Sequence, residues 1–105
     1  MTDPIAALHA RYRASLPEKR AELLAALIGW RDQPAAADRL LAIHQLTHKL
    51  AGSAGAYGFD ALTDLARTAD RLVQPHARDG LALRADQIAP IDAAVSAVCD
   101  ALASA

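Results

Sequence analysis

The chain has 105 residues, 53% of them hydrophobic, with 11 basic and 12 acidic side chains and a formal net charge of −1. That length fits a single domain, residues 1–105, with enough apolar content for one core. The balanced charge argues against nucleic acid or an anionic membrane as a partner, and no run approaches the roughly 18 apolar residues of a membrane span. Cys99 is the lone cysteine, which excludes an internal disulfide and a cysteine-rich metal framework and reads as a buried structural thiol. Alanine is abundant and β-branched residues are sparse, so an all-α fold is expected.

The opening Met1-Thr2-Asp3-Pro4 lacks the basic and apolar regions of a secretion signal, and a cytoplasmic location is the expectation. Pro4 suits the first turn of a helix capped by Thr2 or Asp3, with Ile5, Leu8, Tyr12 and Leu16 on one stripe. Ser15 and Glu18 have capping-box spacing around Pro17, so a second helix is expected from there to about Trp30, burying Leu23, Leu24, Leu27 and Ile28. One helix kinked at Pro17 would serve the same bundle.

After the polar break Asp32-Gln33-Pro34, a helix runs to about Tyr57, where Gly58 interrupts it. The next begins near Phe59 or Asp60 and places Leu62, Leu65, Ala69 and Leu72 inward, with Asp64, Arg67 and Arg71 outward and Asp70 at the border. Pro75 to Gly80 reads as a loop. A last helix from about Arg84 to Ala103 turns Ile88, Ile91, Val95, Val98 and Leu102 inward, with Pro90 kinking its first turns or delaying its start.

The chemistry concentrates in Leu46 to Gly58. Leu40, Ile43, Thr47, Leu50, Ala54 and Tyr57 recur at steps of three and four and make one apolar stripe. A second stripe at the border with water carries Leu41, His44, His48, Gly52 and Gly55. Glycine inside a helix costs about 1 kcal/mol relative to alanine. Two glycines beyond His48 therefore call for a reason, and close approach of another protein to the imidazole supplies one.

His48, Leu50, Gly52, Ser53, Gly58 and Leu62 stand where the histidine phosphotransfer (HPt) domain family has its characteristic residues, and the chain resembles that family over roughly Ala35 to Val73. The resemblance implies an antiparallel four-helix bundle, here with a short extra N-terminal helix. It also implies that His48 accepts a phosphoryl group from an aspartyl phosphate on a receiver domain and passes it to another receiver. The partners implied are the receiver domains of hybrid histidine kinases and response regulators. The protein itself needs no cofactor, because the receiver brings the Mg2+ ion.

The family position that hydrogen-bonds the second ring nitrogen falls on Asp70. A carboxylate accepting the Nδ1 proton fixes the tautomer and leaves Nε2 as nucleophile. The family's lysine three residues after the histidine is replaced by Ala51, and Lys49 reaches that region only through its flexible stem. His44, Gln45, Gly52 and Gly55 would line the docking surface of a monomer. No ATP site is visible, so autokinase activity is not expected.

Bland readings stand beside these. A histidine next to an apolar stripe is commonly a packing residue. His44 and His48 have the spacing for a shared metal, but Gln45 replaces the glutamate of a helical zinc protease motif and no third ligand is identifiable, so no metal is expected. The glycine series lacks a P-loop's lysine and preceding strand, and Ser53 lacks an acid and a base. His9 and His76 read as solvated, and Trp30 and Tyr57 as core or bundle-end residues. The alternative function is a non-phosphorylated helical adaptor on a degenerate phosphotransfer fold.

Overall fold

A computed structural model describes residues 3–105, and in it four helices form a bundle: α1 (Pro4–Asp32), α2 (Ala37–Ala56), α3 (Asp60–Ala77) and α4 (Ala85–Ser104). The connections are short, which makes sequential helices antiparallel neighbours. Each helix packs on the two beside it, α1 closing the ring against α4. No described helix is long and apolar enough to cross a membrane.

The separate short N-terminal helix expected from Pro17 is absent, because α1 runs unbroken for 29 residues. A proline inside a helix removes one backbone hydrogen bond and crowds the preceding turn, at a cost of about 3 kcal/mol. Burial of Tyr12 and Leu16 just before it offsets that cost. Ser15 forms no capping box; its hydroxyl donates to the Tyr12 carbonyl and accepts from Lys19 Nζ. Asp3 caps the helix by accepting the Ile5 N–H at 3.0 Å, while Thr2, the other candidate cap, lies outside the described residues. Ile5 and Leu8 are exposed rather than buried, since the first two turns lack a facing helix.

The α2 stripe is placed as expected: Leu40, Ile43, Thr47, Leu50 and Ala54 are all buried. α3 differs. Its core residues are Leu62, Ala66, Ala69 and Val73, whereas Leu72 is exposed and Leu65 only partly buried. α2 and α3 pack closely on one another, and small residues of both, Ala51 and Ala54 on α2 and Ala66 and Ala69 on α3, are buried in the core. Ile28 likewise points outward on α1, where Leu23, Leu27 and Trp30 fill the core.

Contacts at the helix ends and in the connections fix the bundle further. Trp30 Nε1 donates to the Pro34 carbonyl at 3.1 Å and ties down the α1–α2 turn. Gly58, at φ +81°, closes α2 in a Schellman turn, with Phe59 N donating to Ala54 O and Gly58 N to Gly55 O. That turn delivers Phe59 to a cluster in which it stacks on His9 at 4.8 Å while Tyr57 stacks on Tyr12 at 4.4 Å. α3 continues through Pro75 to Ala77, so the loop starts later than expected, and His76 is buried with its Nδ1 donating to the Leu81 carbonyl at 2.9 Å. α4 passes through Pro90 and is clamped to α1 by a bidentate Arg31–Asp92 pair at 2.7 and 2.9 Å.

Candidate functional site

His48, His44 and Thr47 leave α2 on the side that meets α3, because i, i+3 and i+4 positions share a helix face. Asp70 faces them from α3. Its carboxylate is the centre of the cluster: Oδ1 lies 2.6 Å from His44 Nδ1 and Oδ2 lies 3.2 Å from His48 Nδ1. A carboxylate only accepts, so each ring donates through Nδ1–H, and a neutral ring so held has its lone pair on Nε2. The Thr47 hydroxyl sits 3.3 Å from Oδ1 but has a nearer acceptor in the Ile43 carbonyl, at 3.0 Å.

Exposure separates the two rings. The His48 side chain is 70% exposed, whereas those of His44 and Asp70 are 9% and 13% exposed. His48 therefore combines one anchored nitrogen with a ring open to solvent. His44, expected to be exposed on a docking surface, is instead buried, because its position one turn before His48 is covered by α3 and its Nδ1 is bonded to Asp70.

Of the other predicted site residues, Gln45, Lys49 and Gly52 are exposed. A side chain at Gly52 would meet nothing within 4 Å, so the surface one turn beyond His48 is open. Gly55 is exposed but has a packing role as well, since a Cβ there would come 3.4 Å from Thr63 Oγ1. Between them lies a shallow hollow of about 450 Å³ on the α2–α3 side, bordered by Ala51, Gly52, Gly55, Thr63 and Arg67. Lys49 is elsewhere. It borders a groove of about 330 Å³ between α1 and α2, with Tyr12, Lys19 and Ser53, and so faces away from the Asp70 side. In that groove Ser53 is bonded to the Tyr12 hydroxyl at 2.7 Å, which gives it a structural role.

The matching family model is that of the Hpt domain, and it covers residues 7–105. The chain belongs to the Hpt domain family. Hpt domains take part in histidine phosphotransfer within phosphorelays and interact with receiver domains. No curated protein matches the chain in a direct comparison. Within this Hpt domain, position 51 is a buried alanine in the α2–α3 seam. No group of three or more His, Cys, Asp or Glu side chains suited to a metal ion occurs among the described residues.

Sequence reasoning missed that His44 belongs to the Asp70 cluster. A signal was present: His44, Thr47 and His48 fall on one face, and Asp70 is the acidic residue at the border of the next helix. Cys99, by contrast, is buried as expected, and burial pushes its thiol above the ordinary cysteine range.

Proposed function

We propose that this protein is a phosphorelay intermediate in which His48 accepts a phosphoryl group from a receiver-domain aspartyl phosphate and passes it to a second receiver. The observation that carries the reading is the His48 ring itself, held at Nδ1 by Asp70 at 3.2 Å and otherwise open to solvent. Neutral His48 attacks phosphorus with its Nε2 lone pair. The Nε2–P bond forms as the P–O bond to the receiver's aspartate breaks, and the aspartate leaves as a carboxylate. The Nδ1 proton stays in place, and the positive charge gained by the ring is offset by Asp70. Return transfer follows the same path in reverse.

The protein contributes position and a docking face, while the receiver's metal ion neutralises the phosphoryl oxygens. Gln45, Gly52 and Gly55 are exposed on α2 to either side of His48, and exposed Leu41 adds apolar surface one turn before His44. Such a face suits a transient complex burying at or below ~1,200 Å² in total. Lys49, on the α1 side, adds positive charge to the rim of this face rather than to the phosphoryl group. The protein acts as a monomer.

Incubation with a phosphorylated receiver tests the reading. Wild type is expected to gain one acid-labile, base-stable phosphoryl group by mass spectrometry, and His48→Gln none. Absence of label on wild type, from receivers competent towards another phosphotransfer protein, would favour the adaptor reading, in which His48→Gln retains partner binding.

A further inference from the structure

The bond between Asp70 and His48 is too exposed to set its own geometry. The imidazole is 70% exposed, and water competes for its side of such a bond, leaving it little net strength. Something else must keep Oδ2 turned towards His48. Thr47 is a poor candidate, since its single hydroxyl hydrogen has the carbonyls of Ile43 and His44 at 3.0 and 3.2 Å, both closer than Asp70 Oδ1 at 3.3 Å. His44 is a good one. Its side chain is 9% exposed, its Nδ1 is 2.6 Å from Oδ1, and a charge-assisted bond that short and sheltered from water is among the strong kind.

We propose that His44 is a positioning residue for the phosphoryl transfer assigned above: its buried Nδ1–H holds the Asp70 carboxylate with Oδ2 facing His48, and so keeps His48 in the tautomer whose free nitrogen is Nε2. The two oxygens divide the work. Oδ1 is anchored in the protein interior and Oδ2 is presented at the surface. The planar carboxylate couples them, because rotation about the Cβ–Cγ bond that misaligns one oxygen misaligns the other. The two rings stand tilted at 39° with centroids 5.6 Å apart, so neither displaces the other from its own oxygen. No proton moves in the ground state; each imidazole keeps its Nδ1 hydrogen. The inference rests on the phosphotransfer reading only for its consequence, since the tautomer of His48 is set with or without a phosphoryl group.

Long-range 1H–15N correlation spectra of the histidine rings read the tautomers directly. In wild type, His44 and His48 are both expected in the Nδ1–H form, with the His44 ring proton exchanging slowly with solvent; an Nε2–H form of His44 would overturn the proposal before any variant is made. His44→Phe keeps a ring and removes the donor, and is expected to shift His48 towards the Nε2–H form and slow phosphoryl uptake by about 10-fold or more. His44→Asn restores a donor near the Nδ1 position and is expected to recover the His48 tautomer and most of the rate. A folded His44→Phe with wild-type tautomer and wild-type uptake would refute the role of His44. Failure of wild type to take up a phosphoryl group from a competent receiver would count instead against the function, and the spectra distinguish the two.

Discussion

Replacing Asp70 by alanine tests the energetics of the site without any partner. The carboxylate accepts from one buried and one exposed ring, and the two losses differ in size. The His44 Nδ1–H is left without an acceptor in the interior, which costs about 1–3 kcal/mol. His48 is 70% exposed, so water takes over its bond at little net cost. Thr47 keeps its Ile43 acceptor. Alanine is a better helix former than aspartate by up to roughly 0.7 kcal/mol, which returns part of the loss.

The net expectation is a destabilisation of about 1.5 kcal/mol, or roughly 6–12 °C in Tm for a domain of this size. Urea unfolding followed by circular dichroism measures it. His48→Ala, on the exposed ring, is expected to change stability by less than about 0.5 kcal/mol. The double variant His44→Phe/Asp70→Ala is expected to be more stable than the sum of its two singles, because both polar partners have gone together. Equal effects of Asp70→Ala and His48→Ala, or strict additivity of the pair, would refute the division between a buried anchor and an exposed hydrogen bond.

Three other expectations follow from the geometry. Gly52→Ala places a methyl group in open space on a helix, so stability should rise by up to about 1 kcal/mol while receiver docking weakens, read by unfolding and by titration against a receiver domain. Pro17→Ala restores a helical hydrogen bond at an exposed site of α1 and should stabilise the protein by about 1–3 kcal/mol in the same unfolding assay; a loss of stability would contradict the unbroken helix. Arg31 holds the Asp92 carboxyl below its ordinary value. The Arg31–Asp92 pair therefore stabilises the fold fully above the unfolded carboxylate range, about 4, and that increment disappears as pH falls through the lower folded value. The stability gap between wild type and Arg31→Gln should close over that acid window, measured as urea midpoints across a pH series.

The helical period placed most of the α2 core, because Leu40, Ile43, Thr47, Leu50 and Ala54 make its most apolar stripe, and it left out His44 and Ala51, which are buried as well. α3 was harder to read. Its leucines suggest one face and its alanines another, and only packing against the neighbouring helices decides between them, burying Ala66, Ala69 and Val73 and leaving Leu72 exposed. The break at Pro17 is a local preference overridden by burial of Tyr12 and Leu16 from a distant part of the chain. At the site, His48 and Asp70 were singled out by the resemblance to the Hpt family, with the glycines after His48 and the place of Asp70 on the border of α3 compatible with it. The burial of His44 was not legible, since two histidines one turn apart look alike until the position of the facing helix decides which is covered.

With Asp70 on Nδ1 of His48, the proposed phosphoryl carrier is Nε2. 31P NMR of the protein after incubation with a phosphorylated receiver tests it directly, because the two isomers of phosphohistidine resonate at different positions. A single phosphohistidine signal of the Nε2 isomer is expected in wild type and none in His48→Gln. A signal of the Nδ1 isomer, or one that survives in His48→Gln, would contradict it.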